Sequence, residues 1–289
     1  MEAMTRIEEA LDRALAHGES PAGPPLLIEA IRYAVFPGGA RIRPQLVLAV
    51  AQACGDDVPE ITDAAAASIE LMHCASLVHD DLPCFDGADL RRGKPSVHAA
   101  YGERLAVLAG DALIVIALET LARGALNAPV RLSPLLTTVG QGVSVPSGII
   151  AGQAWECEPR VDLAEYQRAK TGALFAAATM AGAAAAGHEP APWRALGASL
   201  GEAYQVADDL RDAVSNPEEL GKPVGQDEAL DRPNAVRELG VKGATGRLKR
   251  LLDEAMASIP ACPGEEELRV LLRKQAARFL PKELAQQAA

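Results

Sequence analysis

The chain has 289 residues, of which 49% are hydrophobic and only 3% aromatic, and its formal net charge is −11. A chain of this length forms one large domain or two modest ones. The acidic balance excludes the basic face that nucleic acid requires, and it opposes binding to an anionic membrane through surface charge. Alanine-rich stretches such as 64–67 and 183–186 favour helix over strand.

Helical periodicity runs along the whole chain, and no alternating strand pattern interrupts it. Helices are predicted near 3–17, 25–36, 43–54, 60–82, 100–124, 130–150, 163–187, 193–214, 234–258 and 264–279. No Ser- or Gly-rich linker divides the chain. The sequence therefore predicts an all-α, single-domain bundle (1–289) of about ten or more helices around a deep central cavity.

The N-terminus is polar and acidic, unlike a signal or transit peptide. The charge-free stretch 171–187, mostly Ala and Gly, is slightly short of a membrane span. The five cysteines are scattered, odd in number and without C-x-x-C spacing, which fits a reducing compartment and no zinc site. The prediction is a cytoplasmic protein with no stable membrane insertion and no nucleic-acid partner.

Two clusters of aspartates, far apart in the chain, each follow an apolar helical run: 69–78 before the first and 200–207 before the second. The carboxylates are Asp80, Asp81 and Asp86 in the first cluster and Asp208, Asp209 and Asp212 in the second. Carboxylates packed this closely repel one another and cost desolvation energy unless a cation offsets both. Mg²⁺ accepts one or two carboxylates together with phosphate oxygens and water. These six residues are the predicted metal ligands.

Basic residues accompany both clusters, which indicates that phosphate oxygens complete the metal coordination. They are Arg91, Arg92 and Lys94 after the first cluster and Arg211 and Lys222 in and after the second. A single acidic patch is usually a solvated surface. A surface role does not explain why the same pattern closes two apolar helices, so we favour a site with two acidic walls.

Six segments, in order, resemble the trans-isoprenyl diphosphate synthases, also called the polyprenyl synthetase family. They are 38–44, 71–93, 110–113, 152–153 with 170–174, 204–212 and 220–222. The resemblance implies the isoprenoid synthase fold. It also implies a prenyltransferase that condenses isopentenyl diphosphate, head to tail and in trans, with dimethylallyl, geranyl or farnesyl diphosphate. Family members are usually homodimers, and the apolar run 102–121 is a candidate interface, although it could equally be core.

The resemblance also assigns roles to individual residues. The implied catalytic residues are Asp80, Asp81, Asp86, Lys170, Asp208, Asp209 and Lys222. The implied substrate-binding residues are Arg41, Arg43, His73, Arg91, Arg92, Lys170, Thr171, Gln205, Lys222 and Arg232. The implied cofactor is Mg²⁺, roughly three ions with substrate bound, for which Mn²⁺ can substitute. Metal and bases would neutralise the departing diphosphate of the allylic substrate.

The sequence departs from the family pattern in three places. Ala40 stands where the early motif usually has a lysine that contacts isopentenyl diphosphate. Arg232 is the base after the second cluster, and arginine differs from lysine in reach and geometry. The usual acidic pair after Gly-Gln is here Glu156 and Glu158. The first departure removes one expected phosphate contact.

Product length is predicted from the helix before the first cluster. Ser76, Ala75 and Met72 stand four, five and eight residues before Asp80 and are predicted to line the wall along which the product grows. Two small residues leave room for twenty carbons, with Met72 as the floor. This pattern resembles bacterial geranylgeranyl diphosphate synthases that feed carotenoid and photosynthetic pigment synthesis.

Three alternatives stay open on the sequence. A farnesyl or longer-chain synthase shares every motif and differs only in the depth of the floor. Class I terpene cyclases share the bundle and the first cluster but generally lack the second cluster followed by Gly-Lys. A non-catalytic partner subunit of a synthase is favoured by Ala40 alone.

Overall fold

The computed structural model describes residues 3–20, 22–160, 163–214 and 234–276 and is helical over most of them, which confirms the predicted all-α fold. Helices α1–α6 span Ala3–Ala16, Pro25–Val35, Ile42–Cys54, Pro59–Asp80, Val97–Tyr101 and Glu103–Gly124. Helices α7–α13 span Leu132–Val143, Ile149–Ala154, Leu163–Gln167, Ala173–Ala185, Arg194–Val214, Ala235–Ala257 and Glu265–Ala276. Short 3-10 turns lie at Ala125–Asn127, Pro129–Arg131, Trp155–Cys157 and Ala191–Trp193, and a π-helical turn lies at Arg168–Gly172.

Helix α4 lies inside the bundle, packed against α1, α3, α6 and α10. Its alanines 64–67 are almost fully buried, and most of α10 is buried as well. Small side chains allow close approach of the backbones. A Cβ added at Gly182 of α10 would lie 2.6 Å from the carbonyl oxygen of Val47 in α3, so this contact requires glycine. The alanine-rich sequence therefore produces a tightly packed core with few aromatic rings.

Three predicted helices are interrupted. The helix predicted over 130–150 ends at Val143 and resumes at Ile149, because Pro146 has no backbone N–H to continue the ladder. The helix predicted over 100–124 breaks at Gly102, whose φ of 85° is open chiefly to glycine. The helix predicted over 163–187 passes through the π-helical turn. Hydrophobic periodicity predicts each helical segment but does not predict these local breaks.

A two-stranded antiparallel hairpin follows the first aspartate cluster, at a place where no strand is predicted from the sequence. Strands β1 (Leu90–Arg91) and β2 (Lys94–Pro95) pair across a turn formed by Arg92 and Gly93, both with positive φ. Two consecutive left-handed residues are typical of a type I′ turn. The hairpin brings Arg91 to Asp81 at the end of α4 and Arg92 to Gly39 in the loop before α3.

Two helical segments are long and apolar enough to cross a membrane by length and composition. In Pro59–Asp80 78% of the apolar window is buried inside the protein, whereas in Glu103–Asn127 only 39% is. The second segment exposes an apolar face on α6. We refer to this set, Val107, Leu108, Val115 and Leu118, as the α6 face.

Candidate active site

The loop after α4 folds back over the end of the helix and gathers the first aspartate cluster. Asp80 is the last residue of α4, and its carbonyl oxygen accepts a hydrogen bond from the amide of Asp86 at 2.9 Å. The carbonyl of Asp81 accepts from Ala88 at 3.1 Å. The side chain of Asp80 is 15% exposed. The loop therefore brings Asp86 back to a partly exposed Asp80 at the helix end.

Asp81 is buried, and its carboxylate faces Arg91 on the hairpin. Both oxygens accept from Nε of Arg91, at 3.0 and 3.2 Å, and Nη2 of Arg91 makes a further contact. Burial raises the pKa of Asp81, and the arginine opposes that rise. The two oxygens of Asp81 thus anchor the hairpin to the end of α4, and its role as a metal ligand stays a prediction.

The second cluster lies in the last turns of α11, and here too one aspartate is partly exposed and the next one is buried. Asp208 is partly exposed and accepts from Nη2 of Arg211 at 2.8 Å. Asp209 is buried, and its carboxylate accepts from the amide of Ala235 at 2.7 Å and from Nε2 of Gln205 at 3.2 Å. Asp209 therefore holds the first residue of α12, and its role as a metal ligand stays a prediction.

The π-helical turn Arg168–Gly172 connects the two clusters. Nζ of Lys170 lies 3.4 Å from Oδ1 of Asp80, and the hydroxyl of Thr171 donates to Oε1 of Gln205 at 3.3 Å. Adjacent residues thus contact α4 and α11. Burial lowers the pKa of Lys170, but Asp80, Tyr166 and Glu156 raise it by more, so the ammonium stays charged. Lys170 and Thr171 therefore link the helix that carries the first cluster to the helix that carries the second.

A basic pocket lies on the α3 side of α4. The guanidinium of Arg43 stacks 4.5 Å above the ring of Phe175, and its Nη1 is 3.4 Å from Nε2 of His73. Burial lowers the pKa of Arg43. Burial, followed by the charges of Arg43 and Arg92, lowers the pKa of His73 well below its ordinary value, so this imidazole is neutral.

Three buried guanidinium donors have no hydrogen-bond partner among the residues that the structure describes: Nε of Arg43, of Arg123 and of Arg211. Arg123 lies at the far end of α6, whereas Arg43 and Arg211 lie near the aspartate clusters. A buried donor without a partner costs free energy that an anionic oxygen would recover. Arg43 lies beside α4, and Arg211 extends over the ring of Tyr204 on α11, 5.7 Å away. The rings of Phe175 and Tyr204 are themselves 5.4 Å apart. The two arginines therefore lie on the two rings of the Phe175–Tyr204 contact, and each offers a donor for an anion. This aromatic contact was not predicted from the sequence.

Arg92 lies over the loop before α3. A Cβ on Gly39 would come within 2.7 Å of the Arg92 guanidinium, so glycine is needed where the hairpin crosses this loop. Lys94 donates to the carbonyl of Phe36 at 3.3 Å. Ala40, the next residue after Gly39, is exposed. The pocket thus has Arg43, Arg92 and His73 but offers only a methyl group at position 40.

Arg41, predicted to bind substrate, is paired with acidic side chains inside the protein. Its side chain is completely buried and donates to Glu8 at 2.8 Å, to Glu70 at 2.7 Å and to the carbonyl of Val35 at 2.8 Å. Burial lowers the pKa of Arg41, and the two glutamates raise it by more. Arg41 thus ties α1 and α4 to the start of α3, the helix that carries Arg43. Its contact with substrate stays a prediction.

Of the residues predicted to set product length, one lies on the helix face that carries Asp80 and two are buried in the core. Ser76 is half-buried, as are His73, Leu77 and Asp80, which form one stripe of α4 at helical spacing. Ala75 and Met72 are buried, at 1% and 3% exposure. Ser76 thus lies on the face that carries His73 and Asp80, whereas Ala75 and Met72 pack against other helices. Two further predicted residues, Lys222 and Arg232, lie outside the described residues.

The donor set fits Mg²⁺ on the condition that a ligand supplies further oxygens. Asp80, Asp86 and Asp208 offer hard carboxylate oxygens that suit this ion. Among residues 3–20, 22–160, 163–214 and 234–276, no three His, Cys, Asp or Glu side chains are placed to hold a metal alone. Diphosphate oxygens between the two walls would supply what the carboxylates lack.

Comparisons with known proteins agree with this geometry. A family model described as polyprenyl synthetase matches residues 24–268. The chain is 58% identical over 280 residues to a geranylgeranyl diphosphate synthase of Cereibacter sphaeroides, covering 97% of each chain. It is 56% identical over 276 residues to one of Rhodobacter capsulatus, covering 95% of each. A structure of a Helicobacter pylori geranyltransferase complexed with magnesium and isoprenyl diphosphate aligns with a TM-score of 0.78 and 29% identity, over 96% of this chain and 98% of that one.

Proposed function

Because this chain belongs to the polyprenyl synthetase family, we propose that it condenses isopentenyl diphosphate with an allylic diphosphate to give geranylgeranyl diphosphate. The observation that carries this proposal is the site joined by Lys170 and Thr171, in a chain 58% identical to a geranylgeranyl diphosphate synthase. Two acidic walls and a nearby basic pocket provide separate places for two diphosphates.

The allylic diphosphate binds between the acidic walls. Asp80, Asp86 and Asp208 would hold Mg²⁺, whose charge offsets that of the departing diphosphate. Lys170 adds a fixed ammonium at the same place. Nε and Nη2 of Arg91 contact Asp81, so its Nη1 is the atom left for a phosphate oxygen. We propose roughly three Mg²⁺ ions, replaceable by Mn²⁺, since the carboxylates alone supply too few ligands for an octahedral ion.

Isopentenyl diphosphate binds in the basic pocket. The unpartnered Nε of Arg43 and the guanidinium of Arg92 would contact its phosphates, and the neutral His73 would donate a hydrogen bond. Its double bond then attacks the allylic cation, and the departed diphosphate accepts the proton. The apolar helix walls exclude water, which would otherwise quench the cation.

The product is proposed to have twenty carbons because Ser76, on the open stripe of α4, is small. The identity to two geranylgeranyl diphosphate synthases supports the same length. We propose a pigment pathway, carotenoid or photosynthetic, as the destination. The single-domain organisation and a cytoplasmic location without stable membrane insertion belong to the same proposal.

We further propose that the protein acts as a homodimer through the α6 face. Val107, Leu108, Val115 and Leu118 are 41%, 50%, 55% and 38% exposed and lie on one helix. A second copy of α6 would cover this apolar surface, which a monomer leaves in water. Sedimentation of the purified protein tests this assignment, with a stable monomer as the contrary result.

The test of function is an incubation of the purified protein alone with isopentenyl diphosphate and farnesyl diphosphate in the presence of Mg²⁺, followed by product analysis by mass. We expect a twenty-carbon diphosphate and loss of turnover in excess chelator. In a parallel incubation with geranyl diphosphate, accumulation of a fifteen-carbon product would indicate a farnesyl synthase. Products longer than twenty carbons in either incubation would indicate a deeper floor. No turnover would support a partner subunit. Full turnover in chelator would contradict the metal assignment.

A further inference from the structure

Glu156, on the 3-10 turn Trp155–Cys157, is held by three side chains. Its Oε1 accepts from Nζ of Lys170 at 2.6 Å and from the hydroxyl of Tyr166 at 2.6 Å. Its Oε2 accepts from Nε2 of Gln153 at 3.2 Å. Tyr166 is itself buried. The partners come from α8, α9 and the π-helical turn, so the orientation of this carboxylate is fixed from three directions.

Lys170 lies between two carboxylates. Its Nζ is 2.6 Å from Glu156 and 3.4 Å from Asp80. Asp80 is the residue that we assign to Mg²⁺, and an ammonium group on the same carboxylate opposes a divalent cation by like-charge repulsion. The position of one ammonium therefore affects how readily Asp80 accepts the metal.

The backbone of Lys170 cannot relieve this competition by moving. A Cβ on Gly152 would lie 2.4 Å from the backbone nitrogen of Lys170, so α8 is already in direct contact with the π-helical turn. Only the side chain of Lys170 can shift. The balance between its two carboxylates then decides where the ammonium lies.

We propose that Glu156 is a positioning residue that keeps Lys170 from pairing more closely with Asp80 than the 3.4 Å observed, so that Asp80 stays available to Mg²⁺ while the ammonium stays beside the diphosphate. This role rests on the proposed function, because it requires Mg²⁺ at Asp80. A salt bridge that only stabilised the 153–170 segment would affect unfolding but not the concentration of Mg²⁺ needed to fill the site.

The decisive variant is Glu156→Gln in the full chain. The amide keeps the shape of the side chain and an acceptor for Tyr166, but it removes the charge that attracts Lys170. Lys170 should then move to Asp80. We expect the midpoint of a calorimetric Mg²⁺ titration, with inorganic pyrophosphate present, to rise about fivefold, or ~1 kcal/mol, the upper range for a partly exposed pair. Turnover at saturating Mg²⁺ should change less than this midpoint.

Two further variants separate positioning from stability. Glu156→Asp keeps the charge and should return the midpoint towards the wild-type value. Glu165→Gln removes a carboxylate of the same segment that pairs with Arg168, and it should leave the midpoint unchanged. In a Lys170→Met background there is no ammonium to compete, so adding Glu156→Gln should produce no shift.

The proposal is overturned if Glu156→Gln titrates as the wild type does, or if it shifts the midpoint equally in the Lys170→Met background, since Glu156 would then act on the metal without the lysine. Failure of the proposed function looks different. The wild type itself would bind no Mg²⁺ with pyrophosphate and would form no product, whereas a wild type that binds and turns over leaves only the role of Glu156 in question.

Discussion

The two aspartate pairs, Asp80-Asp81 at the end of α4 and Asp208-Asp209 on α11, show the same pattern of burial and contacts. The first residue of each pair is partly exposed and faces a base, Lys170 for Asp80 and Arg211 for Asp208. The second residue is buried, at 2% and 3% exposure, and holds another part of the fold. Identical neighbours in the sequence therefore have opposite roles, because adjacent residues of a helix point in directions about 100° apart.

The pairs differ in what the buried aspartate holds. Asp81 binds a guanidinium group and fixes a hairpin that also carries Arg92, so it organises the basic side of the site. Asp209 binds a backbone amide and fixes the start of α12. Charge is essential to the first contact, whereas an uncharged acceptor can make the second. The two buried aspartates should thus respond differently to the same substitution.

The largest expected effect on turnover comes from substituting the partly exposed aspartate of each pair. Asp80→Ala or Asp208→Ala should lower turnover roughly 10²- to 10³-fold, as expected for loss of one preorganised electrostatic group. Thermal stability without Mg²⁺ should be unchanged or raised, because like-charge repulsion falls. Steady-state kinetics and thermal unfolding measure the two effects. Asp253→Ala, at an exposed position on α12, is the matched control. Near-normal turnover in either variant would remove that residue from the site.

The buried members should instead lower stability. Asp81→Asn leaves Arg91 without its counter-charge, and we expect a loss of about 1–2 kcal/mol, reduced from the fully buried case because the arginine is 35% exposed. Asp209→Asn keeps an acceptor for the Ala235 amide and should cost less, about 0.5 kcal/mol. Urea unfolding of both variants measures the difference. Equal losses would show that charge is not what separates the two contacts.

A third test uses the residues four and five before each pair. Both helices have a buried alanine at the five-back position, Ala75 and Ala203, but the four-back residue is Ser76 on α4 and Tyr204 on α11. Ser76→Tyr makes the helices alike and should shift the main product from twenty to fifteen carbons, since the ring occupies volume that the last isoprene unit needs. Product analysis by mass with excess isopentenyl diphosphate measures the shift.

Ala75→Phe should also shorten the product, but at a cost of about 1–3 kcal/mol for overpacking a site that is only 1% exposed. Met72→Ala should allow chains beyond twenty carbons. If both aromatic variants still make twenty-carbon product, the chain does not grow along α4.

The smallest effect concerns a polar residue upstream of each cluster on the same helix. On α4 this is His73, seven residues before Asp80, which titrates. On α11 it is Gln205, three residues before Asp208, which does not. The pKa of folded His73 is depressed, so below pH ~6.5 the unfolded chain binds a proton that the folded chain refuses. Stability is therefore lost as the pH falls. His73→Gln should lose less stability than the wild type between about pH 7.5 and about pH 5.5, measured by urea unfolding. Parallel losses would mean that His73 is protonated in the folded protein.

Much of this protein could be predicted from its sequence. Helical periodicity located the long helices, because a repeating apolar face must be buried whatever it packs against. The aspartate clusters, with bases beside them, indicated Mg²⁺ and phosphate, since repelling carboxylates at the end of an apolar helix need a cation. The contact of Lys170 with Asp80 follows the implied site, although 90 residues separate the two.

Which residues of a chemical type are buried in ion pairs, and which stay near the proposed site, is decided by the tertiary structure alone. Arg41 and Arg43 are two residues apart. Arg41 is buried and forms salt bridges with Glu8 and Glu70, whereas the buried Nε of Arg43 has no hydrogen-bond partner in the described part of the chain. Likewise Glu156 meets Lys170 only because α8 packs on the π-helical turn. Composition and spacing determine which chemical groups are present and on which helix. Burial and long-range pairing determine their roles, because the free energy of a charge depends on neighbours that the local sequence does not specify.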